Sequence, residues 1–228
     1  MKKANAPSQL SKRARFATKP KRFSAVPRPL VQYSTGFPKQ LKITHRFCET
    51  KTIDFVGPNV NAVYYSYGVN CLYDPVLALG GAQPLYFDQL GTIYNHYTVT
   101  ASRIKLYIVP NRTESYIAGI TIDDDATPSV TVGDRLIEQP STVYSMSHRD
   151  VSTMRLYKSW DAKSVFGPNP LDNDKLQGNI AANPEEYQAF TCWFRPVNWT
   201  ISQTTTFEFM VVIEFDTIWN ELKAMSGS

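Results

Sequence analysis

Every second residue from Phe207 to Phe215 is large and apolar: Phe207, Phe209, Val211, Ile213 and Phe215, with Thr206, Glu208, Met210, Val212 and Glu214 between them. An extended chain sends successive side chains to opposite faces, so this segment reads as a strand with one wholly apolar face that a second layer must cover. The same period recurs along the chain. Leu41, Ile43, His45 and Phe47 alternate with Lys42, Thr44 and Arg46 and continue through Ile53 and Phe55, and Val63, Tyr65 and Tyr67 form a run ended by Gly68. Residues 98–109 set Ile104, Leu106 and Ile108 against Arg103, Lys105 and Tyr107. Further runs are Tyr116, Ala118, Ile120 and Ile122; Met154, Leu156 and Trp160; and residues 187–195. A short eighth strand falls either at 142–146 or at 162–166.

Helical signals are brief. Phe87, Leu90, Ile93, Tyr94 and Tyr97 share one face at helical spacing, which predicts a short helix over 87–97 feeding a strand that starts near Val99. Before it, Tyr73-Asp74-Pro75 and Gly80-Gly81 predict a tight reversal ahead of Gln83-Pro84. Period-two runs rich in β-branched and aromatic residues predict an all-β fold, a single antiparallel sandwich of about eight strands. Long, uneven loops suit a jelly roll better than an immunoglobulin-like sandwich, although periodicity alone does not separate the two.

Charge divides the chain in two. Lys2, Lys3, Lys12, Arg13, Arg15, Lys19, Lys21, Arg22, Arg28, Lys39, Lys42 and Arg46 all precede the first acidic residue, Glu49. From Glu49 onward there are twelve basic and twenty acidic residues, a net of −8. Residues 1–38 also hold Pro7, Pro20, Pro27, Pro29 and Pro38 and only scattered apolar side chains, so they are expected to form a disordered basic arm, with residues 39–228 as the folded domain. An acid-free basic arm on an acidic body fits a segment that neutralises a polyanion, and Lys2, Lys3, Lys12, Arg13, Arg15, Lys19, Lys21, Arg22, Arg28, Lys42 and Arg46 are the candidate nucleic-acid contacts. Arg15-Phe16 and Arg22-Phe23 put an aromatic ring beside a cation, suited to stacking a base next to a neutralised phosphate. Lys12, Arg13, Arg15, Lys19, Lys21 and Arg22 also form two basic clusters of the kind read by a nuclear import receptor. The bland alternative, a solubilising tail, does not call for the exclusion of every acidic residue.

Other function classes find little support. His45, His96 and His148 are far apart in sequence, which argues against a histidine-carboxylate metal centre, and neither a metal nor a cofactor is expected. His96 is expected to pack between helix and strand. His45 and Cys48, three apart on a strand, point to opposite faces and so form no nucleophile-base pair. Cys48, Cys71 and Cys192 show no CxxC pairing and read as reduced, partly buried thiols. Asp123-Asp124-Asp125 reads as a solvated loop tip, with an interface-bound hard cation as the sharper alternative. Glu214 and Asp216 read as solvated or interface charges rather than an acid/base pair. Trp193, Trp199 and Trp219, with the exposed tyrosines, exceed what one sandwich core needs and suit subunit contacts. No apolar run approaches the roughly 20 residues that span a bilayer. The N-terminus lacks a secretory apolar core, so the chain is expected to stay inside a cell without membrane insertion, and the sequons at Asn111 and Asn198 are then coincidental.

Several segments carry a family resemblance. Tyr73-Asp74-Pro75, the GGAQPLYFDQ run from Gly80 to Gln89, and IYNHYTV from Ile93 to Val99 resemble the capsid proteins of circular Rep-encoding single-stranded DNA viruses, the circovirus-like group. So do Lys158-Ser159-Trp160 with KSVFG from Lys163, AFTCWFRP from Ala189, and FEFMVVIEF from Phe207. Ala82 departs from a position often polar in that family. The resemblance decides the sandwich in favour of a jelly roll. It implies a sixty-subunit icosahedral shell, a packaged circular single-stranded DNA genome, and location in the virion and the host nucleus; host and cell-surface receptor stay open. Two other classes fit parts of the sequence: a nucleic-acid-binding nuclear shuttle protein that forms no shell, and an enzyme or sugar-binding protein built on the same fold.

Overall fold

The structure is a computed structural model that describes residues 36–77, 81–109, 115–147, 153–200, 202 and 204–224, and Phe37–Ser228 forms one compact unit. In chain order the elements are β1 (Gln40–Val56), β2 (Val63–Gly68), α1 (Phe87–Gly91), β3 (Tyr94–Val109), β4 (Tyr116–Asp123), α2 (Gly133–Glu138), β5 (Val143–Ser147), β6 (Met154–Asp161), α3 (Ala162–Phe166), β7 (Gln177–Gly178), β8 (Ala189–Pro196) and β9 (Thr204–Leu222). The strands form two antiparallel sheets, one ordered β1-β9-β3-β6 with the two-residue β7 added to β3, the other ordered β2-β8-β4-β5. Eight strands in these two orders, with the first and last strands paired side by side, make a jelly roll.

The alternation in β9 sets the packing. Phe207, Phe209, Val211, Ile213 and Phe215 all point inward and are buried, and β9 pairs along its length with both β1 and β3. Phe209 meets Phe194 of the facing sheet at 4.8 Å between ring centroids and Tyr65 at 6.2 Å. β8 shows no alternation, because every one of its residues is buried. Its outer side is covered by the β4–β5 connection: Trp193 packs with Leu136 of α2 and with Ala62, its indole Nε1–H donates to Thr121 Oγ1 at 3.1 Å, and its ring occupies the space where a Cβ on Gly119 would sit.

Several sequence expectations are corrected here. The helix over 87–97 is cut to α1, and Tyr94 and Tyr97 belong to β3. Cross-strand pairing of Tyr94 with Leu222 and Tyr97 with Trp219 draws that segment into the sheet despite its helical spacing. The eighth strand is β5, within 142–147; residues 162–166 are a helix, started by the Asp161 side chain accepting from the amides of Lys163 and Ser164. Trp193 and Trp219 are fully buried, so of the three tryptophans named above only Trp199 is exposed. The surplus aromatics fill two cores rather than one, since α2 roofs the outer face of β8.

Candidate functional site

The outer face of the β1-β9-β3-β6 sheet collects the charges of three strands. Register places Arg46 opposite Glu214 and Glu214 opposite Arg103, with Thr44 opposite Asp216. Arg46 Nη2 donates to Glu214 Oε1 at 2.7 Å, and Arg103 grips Asp216 with two bonds of 2.8 and 3.0 Å while its Nε lies 3.5 Å from Glu214 Oε2. Thr44 Oγ1 donates to Asp216 at 2.7 Å, and Lys105 Nζ stands 3.9 Å from Glu214. The Arg46 hydrogen bond holds the Glu214 carboxyl below its ordinary value, and the Arg103 fork does the same for Asp216. Carboxylates held this way keep their charge at neutral pH and are poor proton donors, so the pair is a charge clamp between strands rather than an acid/base couple.

Lys42 lies on the same exposed face opposite Ile218; its charge helps to lower Asp216, but it forms no ion pair with the clamp. It lines a slot of about 320 Å³ together with Thr100, Lys163, Pro170, Leu171 and Ile218. Among the described residues neither Lys42 nor Lys163 forms an ion pair. The remaining arm candidates, Lys2, Lys3, Lys12, Arg13, Arg15, Lys19, Lys21, Arg22 and Arg28, lie outside the described residues, as do His148 and Asn111.

The other singled-out residues separate by burial. His45 is buried; Trp219 Nε1 donates to its Nε2 at 3.0 Å, so the ring proton sits on Nδ1, which donates to Leu85 O at 3.2 Å. Burial lowers the His45 pKa from 6.5. Cys48 is exposed on the opposite face, as three-residue spacing requires, which corrects the expectation that it is partly buried. Cys71 and Cys192 are buried, and burial pushes both thiols up. His96 does not bridge helix and strand: its Nε2 lies 3.4 Å from Glu221 Oε2 of β9. Asp123 is likewise no loop-tip residue. It closes β4 opposite Ala189, is buried, and its carboxyl is raised by desolvation, while Asp124 and Asp125 are exposed. Among the described residues no three His, Cys, Asp or Glu side chains are grouped to hold a metal ion, and no helix is long and apolar enough to cross a membrane.

No protein-family profile matches the chain, and no curated protein matches it. Among solved structures, the chain is similar to a 60-mer BFDV capsid protein, with TM-score 0.47 and 9% identity over 84% of this chain and 100% of that one. It is similar also to Desmodium yellow mottle tymovirus, with TM-score 0.42 and 11% identity over 99% and 100% of the two chains. Maize chlorotic mottle virus gives TM-score 0.43 and 9% identity over 84% and 98%. The fold assignment above stands on strand order and register, independently of these likenesses.

Sequence reasoning missed two features of this face. In sequence Arg46 reads as a free cation, whereas Glu214 neutralises it, and only strand register reveals that pairing. Lys163 lies in sequence only within a family-like segment; α3 brings it to the cavity that Lys42 also lines, and no local sequence signal announces that approach.

Proposed function

We propose that the chain is the capsid subunit of a small single-stranded DNA virus of the circovirus-like group. On this reading residues 39–228 form the shell with copies of themselves, sixty in all, and residues 1–38 are an arm that neutralises a packaged circular genome. The observation that carries the reading is the union, in one chain, of a jelly roll bearing an acidic excess with an acid-free leader holding nine Lys and Arg residues up to Arg28. Self-association is supported by large apolar side chains exposed on the free-edge strands: Tyr144 and Met146 of β5 and Tyr157 of β6, between 50% and 66% accessible. The same arm clusters would engage a nuclear import receptor on the way to the host nucleus, before the protein resides in the virion.

Sedimentation of the full-length protein at low and high salt, with absorbance at 260 and 280 nm, tests the proposal. A fast, homogeneous particle carrying nucleic acid is expected; a small species under all conditions refutes the shell and leaves a nuclear shuttle protein. If the nine arm cations all engage phosphates, the log-log salt slope for single-strand binding is about −6. A slope near zero refutes packaging by the arm.

A further inference from the structure

We propose that the slot between Lys42 and Lys163 is a nucleotide-binding site on the folded body, taking one phosphodiester-linked nucleotide of a single strand. The inference rests on the packaging reading and adds to it a discrete contact outside the arm. Its first support is the division of cations on this face. Arg46, Arg103 and Lys105 are all committed to Glu214 or Asp216, whereas Lys42 and Lys163 have no carboxylate within ion-pair distance among the described residues and converge on one cavity. A phosphate entering there displaces no existing ion pair.

The cavity walls supply the rest of a nucleotide's needs. Pro170, Leu171 and Ile218 offer an apolar surface for a base, and Asn169 brings both a donor and an acceptor to the rim. Thr100 lines the slot, and its hydroxyl already donates to Asp216 O at 3.1 Å, which leaves its oxygen only an acceptor role toward a ligand. A volume of about 320 Å³ lies at the small end of ligand sites, which run from roughly 300 to 1,000 Å³. Sequence adjacency matters as well: β1 begins at Gln40, so Lys42 is among the first residues of the folded body after the basic leader.

Asp172 also lines the slot and trims its positive charge. A small slot of weak net charge holds a free mononucleotide poorly, whereas a polymer that also engages the arm meets it at high effective concentration, so the polymer is favoured over its monomer.

The test is lysine acetylation footprinting of the full-length protein, read by mass spectrometry, with and without a 20-nucleotide oligo(dT), and separately with dTMP. Lys42 and Lys163 are expected to be protected by oligo(dT) along with arm lysines such as Lys12 and Lys19. Lys175, paired with Glu185 and Glu186, keeps its reactivity, and dTMP protects neither slot lysine. Arm protection with unchanged Lys42 and Lys163 overturns the slot while sparing the packaging reading; protection nowhere overturns both. Equal protection by dTMP overturns the preference for a polymer. In a second measurement, the K42Q/K163Q variant, whose two changes fall on exposed side chains, should flatten the salt slope by about 0.7 and weaken oligo(dT) binding about fourfold at 0.15 M salt, the effect of one phosphate contact. D172N should tighten it. An unchanged slope in K42Q/K163Q, with circular dichroism intact, refutes the assignment.

Discussion

Replacing Phe209 with alanine isolates what the alternation in β9 is worth. The ring is 1% exposed and is clasped by Phe194 at 4.8 Å and Tyr65 at 6.2 Å, both from the facing sheet. Transfer of a buried phenyl group contributes about 1.5–3 kcal/mol. Lost aromatic pairing adds roughly 0.5–1.5 kcal/mol for each well-placed ring. With the cavity left behind, the expected loss is about 4 kcal/mol, inside the range of roughly 3–5 known for such truncations. The adjacent Glu208 is exposed on the other face, and E208A should stay within about 0.5 kcal/mol of the parent. Urea denaturation of both variants at one fixed protein concentration reads the difference, because association would shift apparent stability. Equal midpoints for F209A and the parent, or a larger loss in E208A, would mean that the strand sits one residue out of register, since a single-residue slip exchanges the two faces.

Three further outcomes follow from burial. His45 titrates below 6.5 in the folded chain, so its contribution is complete above pH 6.5 and is lost as pH falls through the lowered folded value; between pH 7.5 and 5 the parent should lose more stability than H45Q, and parallel profiles would refute this. Ellman's reagent should find one fast thiol in the native protein, Cys48, and three after denaturation, whereas three fast thiols would show that Cys71 and Cys192 are not buried. A Cβ at Gly119 would overlap the Trp193 ring, so G119V should cost about 1–3 kcal/mol and perturb the near-ultraviolet tryptophan spectrum; a loss under about 0.5 kcal/mol would contradict the packing of Trp193 beneath α2.

Strands whose two faces differ were legible in the sequence. In β3 the inward Ile104, Leu106 and Ile108, and in β9 the inward residues from Phe207 to Phe215, follow from alternation alone. Legibility failed where tertiary structure changes the environment of a face. Trp193 looked surplus because nothing local shows that α2 returns over β8, and with both sides covered β8 carries no alternation to read. The helix predicted through Tyr97 failed for the opposite reason. Its apolar spacing is real, but the backbone of Tyr94, His96 and Tyr97 finds partners in β9, and cross-strand pairing with a long strand outweighs a short isolated helix.

The candidate site was legible as polarity and illegible as charge balance. Lys42 and Arg46 occupy equivalent positions on one strand, both exposed, both in the basic run that precedes Glu49, and sequence gives no ground for ranking them. Register separates them. β9 runs beside β1 with Glu214, Asp216 and Ile218 on the shared outer face, so Arg46 falls opposite a carboxylate and Lys42 opposite an isoleucine. A slip of two residues would preserve every inward side chain type along most of the pair yet place Lys42 opposite Asp216 and leave Arg46 opposite Val212. Which lysine or arginine is left without a carboxylate partner is thus fixed by the pairing that also closes the core, and a count of basic residues along the chain overstates the positive charge that the folded face presents.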